Sequence, residues 1–175
     1  MARPSSRKKI IAAANAVIER DGIAHLTLES VAAEAGLTKG GLQYHFASKE
    51  ELLDAVESDV WTQVDAAATR ALGKDVDLST PDERLAAMIR SFAHADVRTA
   101  ELQIVLNGAG EGPVRDNREA LFRRWSGEDE RPLSPRQWVA LLASDGLWTR
   151  DALGRGFSEG MRERIVAAML DLAEG

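Results

Sequence analysis

Cysteine is absent from this 175-residue sequence, and histidine occurs only three times, as His25, His45 and His94. Without thiols the chain can form no disulfide and offers no thiolate to a metal ion. The three histidines do not share the short spacing of a metal-binding motif. We therefore expect no metal site and no cofactor. A lack of cysteine is also compatible with a reducing cytoplasm, where we expect the protein to work.

Long apolar runs are also missing. No stretch approaches the roughly 20 apolar residues that cross a bilayer, so we expect no membrane partner. Residues 3–9 are rich in basic side chains and residues 10–18 are mostly apolar, the order found in a signal peptide. Asn15 interrupts this short run, and Glu19 and Arg20 follow it directly. The segment is better explained as one face of an amphipathic helix.

Catalytic signatures are lacking as well. The sequence has no glycine-rich phosphate loop ending in Lys-Ser or Lys-Thr, and no serine or histidine stands in a known nucleophile motif. Carboxylate pairs at helical spacing are explained by solvated acidic faces. We therefore expect a protein that is not an enzyme.

Charge is divided unevenly along the chain, whose net charge is −6. Residues 1–50 hold seven Lys and Arg against five Asp and Glu, whereas residues 51–175 hold fifteen against twenty-three. The first segment is thus slightly basic and the remainder strongly acidic. This distribution fits a DNA-binding N-terminal segment on a body that nucleic acid repels.

Residues 27–36 predict a short amphipathic helix. Thr27 stands where a hydroxyl caps the first turn, and apolar residues from Leu28 to Ala35 recur at three- and four-residue spacing. Gly36 follows at the position where a helix ends in the left-handed conformation.

A second short helix is predicted to follow, with Thr38 as its cap and only Leu42 and Phe46 to bury. Gly40 and Gly41 leave its first turn almost bare. Such a polar, uncluttered helix after a tight turn suits insertion into the major groove of DNA. The same pattern also occurs in all-α proteins that do not bind DNA.

Residues 10–53 resemble the DNA-binding domain of the TetR/AcrR family of transcriptional repressors. The rest of the chain resembles that family only in length and helical character. The family often has an aromatic residue directly after the recognition-helix leucine, whereas here Gln43 stands there and Tyr44 follows. The matching residues are Ile11, Ala14, Gly22, Thr27, Val31, Ala32, Ala35, Gly36, Lys39, Gly40, Leu42, His45, Phe46, Ser48, Lys49, Leu52 and Leu53.

The resemblance and the exposed polar pattern together define the residues that we expect to meet double-stranded operator DNA. A basic arm before the first helix would reach phosphates or a minor groove. Which of Gln43 and Tyr44 touches a base and which a phosphate stays open. The predicted DNA-binding residues are Arg3, Arg7, Lys8, Thr27, Thr38, Lys39, Gly40, Gln43, Tyr44, His45 and Lys49.

Beyond residue 47 the sequence predicts further helices and an all-α fold. We expect a three-helix DNA-binding domain at residues 1–47 and a helical ligand-binding and dimerisation domain at residues 48–175. Capping patterns start helices at Ser48, Thr80 and Ser134, and Ser158 is expected to cap the last helix.

The body contains large apolar residues that either form an ordinary core or line a cavity. The resemblance favours a cavity for a small inducer, with His94, Asp96, Arg98 and Asn107 nearby as polar groups that could orient it. The predicted cavity residues are Trp61, Met88, Phe92, Leu102, Leu106, Phe122, Trp125 and Trp138.

The last two predicted helices are apolar on more than one side, which indicates either a fully buried pair or a surface shared with a second copy. The resembling family pairs through its last two long helices. The residues expected at the interface of a homodimer are Leu141, Asp145, Trp148, Ile165, Met169 and Leu172.

We therefore expect a regulator that is released from a palindromic operator by a small molecule. Two alternatives stay open: a DNA-binding protein without an inducer, and an all-α carrier or enzyme with an incidental helix-turn-helix.

Overall fold

A computed structural model of the chain describes residues 6–93, 98–107 and 113–174, and every regular element within these ranges is helical. The predicted all-α fold is confirmed. Arg3, His94 and Asp96 lie outside the described residues. The helices are α1 (Ser6–Asp21), α2 (Leu28–Ala35), α3 (Lys39–Gln43), α4 (Lys49–Leu72), α5 (Pro81–Ala93), α6 (Thr99–Asn107), α7 (Pro113–Ser126), α8 (Pro135–Ala152) and α9 (Glu159–Ala173), with short 3₁₀ turns at Ile23–His25 and Val76–Leu78.

Reciprocal hydrogen bonds fix the starts of α5 and α8. The backbone N–H of Glu83 donates to Thr80 Oγ1 at 3.3 Å, and that of Thr80 donates to Glu83 Oε2 at 2.9 Å. Ser134 and Gln137 exchange the same pair of bonds at 3.3 and 3.0 Å. Each pair satisfies N–H groups that the first turn of a helix leaves without an intrahelical acceptor. Both predicted starts are confirmed.

The start of α9 differs from the prediction. Ser158 occupies the N-cap position, but within the described chain its side chain makes no capping hydrogen bond. Its backbone carbonyl instead accepts from the N–H groups of Met161 and Arg162 at 3.0 and 2.9 Å. Extended backbone geometry at Ser158 therefore starts α9 without help from the hydroxyl.

Two compact units make up the described chain. The first contains α1 to α3, α4 as far as Val60, and α6; the second contains α4 from Trp61, α5, most of α7, α8 and α9. The expected functional division at residues 47 and 48 stays a prediction.

The first unit has one apolar core that holds α2 and α3 against α1 and the start of α4. Fully burying a side chain such as Ile, Leu or Phe is worth about 1.5–3 kcal/mol, so this core stabilises the packing of these helices. Its largest members are Ile10, Val17, Ile18, Leu26, Val31, Leu42, Phe46, Leu52, Val56 and Ile104.

Within the first unit, the side chains of Gln103 and Glu19 connect helix α6 to the N-terminal helices. Gln103 Oε1 accepts a hydrogen bond from the backbone N–H of Ile23 at 2.9 Å. Glu19 Oε2 accepts a hydrogen bond from the backbone N–H of Ala100 at 2.7 Å. Its negative charge is also favourable at the N-terminal end of α6. Ala100 and Ile104 are buried in the same core.

The second unit has its own core, built mainly from α5, α8 and α9. Trp125 is fully buried there, and its Nε1 donates to Asp65 at 2.8 Å, which satisfies the polar atom of the indole. Arg162 of α9 makes two bonds with Asp151 of α8, at 2.7 and 2.6 Å, and donates to the carbonyl of Ala93 at 2.9 Å. These contacts fix α9 beside α8 and the end of α5.

Candidate nucleic-acid interface

Helix α2 begins and ends as the sequence predicts. Thr27 Oγ1 accepts from the N–H of Ser30 at 3.0 Å, and Ser30 Oγ accepts from the N–H of Thr27 at 3.0 Å, which forms a capping box. Gly36 closes the helix at φ 64°, in the left-handed region that glycine adopts without a steric cost. The chain can therefore turn sharply into α3.

Helix α3 is only five residues long and ends at Gln43. Thr38 Oγ1 accepts from the N–H of Gly41 at 3.0 Å, so the predicted cap is present. Accepting this bond leaves the hydroxyl hydrogen of Thr38 available to donate to a phosphate oxygen.

The two faces of α3 differ sharply. Leu42 and Phe46 are fully buried, whereas Lys39 and Gln43 are exposed. Tyr44 is 87% exposed, so both its ring and its hydroxyl are open to solvent. Burial of Leu42 and Phe46 on one side of the helix thus leaves the cationic and hydrogen-bonding side chains exposed on the other side.

The rings of Tyr44 and His45 meet edge to face, with centroids 5.2 Å apart. This arrangement is favourable for aromatic pairs and restricts the orientation of an otherwise exposed tyrosine. His45 is half-buried, so it supports Tyr44 more than it protrudes itself.

The two glycines of α3 have different surroundings. A Cβ built on Gly40 meets no atom within 4 Å, so the space beside Gly40 is open. A Cβ on Gly41 would lie 3.2 Å from Thr38 Oγ1, which is tighter than an ordinary contact. Gly40 therefore allows another molecule to approach the helix, while Gly41 leaves room for the cap.

Arg7 has a structural partner that the sequence did not reveal. Its guanidinium lies 4.2 Å from the centroid of the Phe46 ring, and its Nη1 donates to the carbonyl of His45 at 3.3 Å. Arg7 thus ties the start of α1 to the residues that follow α3. An arginine has five N–H donors, so this role leaves others for a phosphate. Lys8, the next basic residue of α1, is exposed.

Lys39 pairs with Glu29 of α2 at 2.6 Å. The hydrogen bond from Lys39, with the attraction between the two charges, holds the pKa of Glu29 below its ordinary value. Glu29 was not among the predicted site residues, because acidic residues were assigned to solvated faces. Its position in the first turn of a helix that precedes a recognition helix was the available signal.

Lys49 is the first residue of α4 and is half-buried. The turn before it is fixed, since Ser48 Oγ accepts from the N–H of Glu51 at 3.1 Å and Glu51 Oε2 accepts from the N–H of Ala47 at 2.8 Å. The predicted cap at Ser48 is confirmed. Lys49 therefore stands at a defined helix N-terminus, where an anion is favoured.

The residues predicted to line a cavity do not share one environment. Leu102 and Leu106 belong to α6 of the first unit, and Leu106 is 68% exposed. In the second unit Met88 and Trp125 are buried, whereas Trp61, Phe92 and Phe122 are half-buried. Trp138 is partly exposed and stacks on Phe122, with ring centroids 6.1 Å apart.

One cleft of about 270 Å³ lies elsewhere in the second unit, and none of the predicted ligand residues lines it. Five of its eight lining residues are charged. The lining residues are Ala71, Leu72, Lys74, Asp82, Glu83, Ala86, Arg90 and Glu174.

The predicted interface residues of α8 and α9 are divided between core and surface. Leu141 and Met169 are buried in the second unit, whereas Trp148, Ile165 and Leu172 are half-buried. Asp145 is exposed, yet desolvation by surrounding protein atoms raises its pKa above the ordinary value. The apolar residues that protrude most from α8 and α9 are Trp138, Val139, Leu142 and Met161.

Within the described ranges no three metal-ligating side chains come together. Among the described helices, none combines the length and apolar character of a membrane-spanning segment.

The residues that build the polar surface of α2 and α3 also carry a family signature. Residues 10–56 match the family of bacterial regulatory proteins named after tetR. The HTH-type transcriptional regulator BetI of Cronobacter sakazakii is 28% identical over 165 residues, which cover 86% of this chain and 81% of BetI.

Solved structures share the fold along nearly the whole chain. A TetR family regulator from Marinobacter aquaeolei has a TM-score of 0.71 at 19% identity and covers 96% of this chain and 95% of its own. The multidrug binding protein EbrR, crystallised with ethidium, has a TM-score of 0.62 at 22% identity over 98% and 99% of the two chains.

The family match falls on the capped helices α2 and α3, and includes the exposed residues Lys39 and Gln43 of α3 and Tyr44 directly after it. The resemblance predicted from sequence is confirmed. This chain is a helix-turn-helix transcriptional regulator and belongs to the TetR family.

Proposed function

We propose that this regulator is a repressor that binds a palindromic operator as a homodimer and leaves it when a small-molecule inducer binds. The surface of α3 carries the proposal, because Lys39, Gln43 and Tyr44 are exposed beside the open space at Gly40. A bare helix of this kind fits the major groove, which is about 12 Å wide. TetR regulators are not enzymes, so no catalytic residue is involved. We place the protein in the cytoplasm, with its DNA.

Base and phosphate contacts follow from the chemistry of the exposed groups. Gln43 is suited to the N6 and N7 edge of adenine, and Lys39 to the O6 and N7 edge of guanine. Thr38 and Lys49 stand at helix N-termini, where free N–H groups and positive charge favour phosphate. Tyr44, held by His45, is placed to contact the backbone or a base edge beside Gln43.

Residues outside α3 extend this interface. Lys8 is exposed at the start of α1, and Thr27 is exposed at the start of α2, so both can meet phosphates that flank the groove. Arg3 would continue the basic arm. Arg7 contributes by orienting the residues after α3 as well as by its charge.

The homodimer rests on the apolar faces of α8 and α9. Leu142 is 65% exposed, and Trp138, Val139 and Met161 also protrude. Large apolar side chains exposed on two adjacent helices are typical of a protein interface. In a two-fold dimer the same face of each copy meets the other. Leu141 and Met169 would support the face from within, while Asp145, Trp148, Ile165 and Leu172 would line it.

The inducer is proposed to bind among the aromatic side chains of the second unit. Phe122 stacks on Trp138, and the ring of Trp61 lies 5.9 Å from the guanidinium carbon of Arg118. Stacked and cation-contacting rings favour a planar, largely apolar ligand. EbrR, which has the same fold, was crystallised with ethidium.

Helix α4 provides a route between the two functions, because it continues without a break from Lys49 to Leu72 and passes from the first unit into the second. A ligand that prefers the DNA-free arrangement would displace this helix. Couplings of this kind are typically about 1–3 kcal/mol.

The experiment is a mobility shift on duplex DNA that the wild-type protein has selected, repeated with a panel of planar organic compounds. We expect at least one compound to release the DNA and to raise the melting temperature. Trp61→Ala should keep operator affinity but lose this release. A Trp61→Ala protein that is destabilised yet releases DNA normally would remove Trp61 from the ligand site. DNA binding that no compound affects would favour a regulator without an inducer.

A further inference from the structure

The DNA-facing surface contains an acidic side chain where repulsion from DNA would be expected to exclude one. Glu29 lies in the first turn of α2, and its Oε1 is 2.6 Å from Nζ of Lys39, the first residue of α3. Both side chains are more than half exposed. The pair therefore joins the N-terminal ends of the two helices of the helix-turn-helix.

Glu29 is ionised at neutral pH. Its hydrogen bond from Lys39 lowers its pKa, and the nearby positive charge acts in the same direction. The ammonium of Lys39 is thus neutralised by a partner inside the protein. It does not add an unpaired positive charge to the surface that meets the phosphate backbone.

Neither folding nor general DNA affinity explains this pair well. Exposed ion pairs contribute little to stability, because solvent and salt screen them. A carboxylate beside a polyanion also opposes binding of any DNA sequence. A residue that weakens all binding can still improve discrimination if it weakens the wrong complexes more.

A lysine without a partner is a flexible point charge with three rotatable donors, so it neutralises whichever phosphate is nearest. That contact carries no sequence information. A carboxylate that accepts one of the three donors limits where the other two can point. From the start of α3 those donors can reach the O6 and N7 acceptors of guanine.

Resting on the proposed binding of operator DNA through α3, we propose that Glu29 is a specificity-determining residue that holds Lys39 for a guanine base edge and prevents its use as a general phosphate contact. Glu29 is then a positioning residue that acts through Lys39. Its removal strengthens binding to unrelated DNA while it relaxes the requirement for one G·C pair in each half-site.

The test compares three variants. Glu29→Gln removes the charge and weakens the pair. Glu29→Asp keeps the charge at the first turn of α2 but withdraws the carboxylate from Lys39. Glu34→Gln is the matched control, since Glu34 lies on the same helix and pairs with Arg20 at 2.7 Å, as Glu29 does with Lys39.

Each protein is measured by fluorescence anisotropy on two duplexes of equal length, over a series of salt concentrations. One duplex is the sequence that wild-type protein selects from random DNA, and the other is unrelated. The same selection is then repeated with each variant. Melting temperature shows whether each variant is folded.

For Glu29→Gln we expect several-fold tighter binding to the unrelated duplex, with the slope of log affinity against log salt steeper by about 1. The ratio of affinities for the two duplexes should fall about tenfold, within the range that one bidentate base contact supplies. Glu29→Asp should also lower the ratio, and Glu34→Gln should leave it within twofold of wild type.

Three results overturn the proposal: equal tightening on both duplexes, wild-type specificity in Glu29→Asp, or the same selected sequence in Glu29→Gln and wild type. The first two would mean that Glu29 acts only by its charge. A wild-type protein that selects no sequence would instead contradict the proposed operator binding, and the two failures are thereby distinguished.

Discussion

The side chain of Gln103 accepts a hydrogen bond from the backbone N–H of Ile23 at 2.9 Å, across 80 positions of sequence. Ile23 lies between α1 and α2, so this bond attaches α6 to the segment that leads into the helix-turn-helix. Leu102 and Leu106, which we predicted as ligand residues, are on the same helix. Movement of α6 would therefore be transmitted to the DNA-binding helices in addition to any movement of α4.

Gln103→Ala should weaken the response to inducer while operator affinity stays near wild type. It removes the acceptor for the Ile23 N–H, and a lost hydrogen bond of this kind costs about 0.5–1.5 kcal/mol of stability. Gln103→Glu keeps an acceptor oxygen and serves as the control. Inducer titrations of the protein–DNA complex measure the effect. An unchanged inducer response in Gln103→Ala would show that α6 does not transmit the signal.

The two glycines of α3 should separate DNA contact from helix capping. Gly40→Ala creates no clash within the protein and improves helix propensity by about 1 kcal/mol, so its melting temperature should rise. Its operator affinity should fall, because the methyl group occupies the space left for DNA. Gly41→Ala should lower the melting temperature, since its Cβ would crowd Thr38 Oγ1. If the Gly40→Ala protein bound operator DNA as tightly as wild type, α3 would not lie in the groove as proposed.

Substitution of Lys49 and substitution of Gln43 should have different effects on DNA binding. Lys49→Ala removes a phosphate contact, so affinity should fall on all sequences alike and the salt slope should shrink by about 1. Gln43→Ala should instead change which bases are preferred at one position of each half-site. Salt titrations on selected and unrelated duplexes measure both effects. Identical behaviour of the two variants would mean that the roles are wrongly assigned.

Leu142→Glu should produce monomers. Leu142 is 65% exposed in the protomer, so the change leaves the core intact but puts a charge in the centre of the proposed interface, at a cost of several kcal/mol. Leu78→Glu is the matched control, because Leu78 is 81% exposed on the turn before α5 and belongs to neither α8 nor α9. Light scattering that finds a dimer in both variants would exclude this face as the interface.

Asp145 should make the stability of the folded protein sensitive to pH. Desolvation raises its pKa, so the folded protein holds this proton more tightly than the unfolded chain does. Stability therefore falls as pH rises from the ordinary carboxyl pKa through the raised value, and the penalty persists above it. Asp145→Asn should raise the melting temperature slightly at neutral pH and lose this advantage in acid. Equal effects at both pH values would show that ionisation is not the cause.

Local patterns were sufficient to predict much of the fold. Thr27 and Gly36 bracket α2, and the boxes at Thr80 and Ser134 start α5 and α8, because each depends on residues within one turn. The exposed face of α3 followed from the spacing of two apolar residues. These features are set by neighbours in sequence, so the sequence contains them directly.

Contacts between distant segments could not be predicted in this way. Arg7 on Phe46 and Gln103 on Ile23 depend on how helices pack after folding. The side of α8 that faces the core could not be predicted either. Leu141 is buried and its neighbour Leu142 is exposed, although both are apolar. A helix with apolar residues on several sides does not itself indicate which side meets the core.

Selection of duplexes from random-sequence DNA by the wild-type protein tests the proposed operator binding most directly. Two α3 helices related by a two-fold axis should enrich an inverted repeat whose half-sites lie about 34–36 Å, one helical turn, apart. Enrichment of such a repeat, bound by two protomers, is the expected result. Enrichment of no sequence, or of a single site bound by one protomer, would contradict a dimeric regulator that binds its operator through α3.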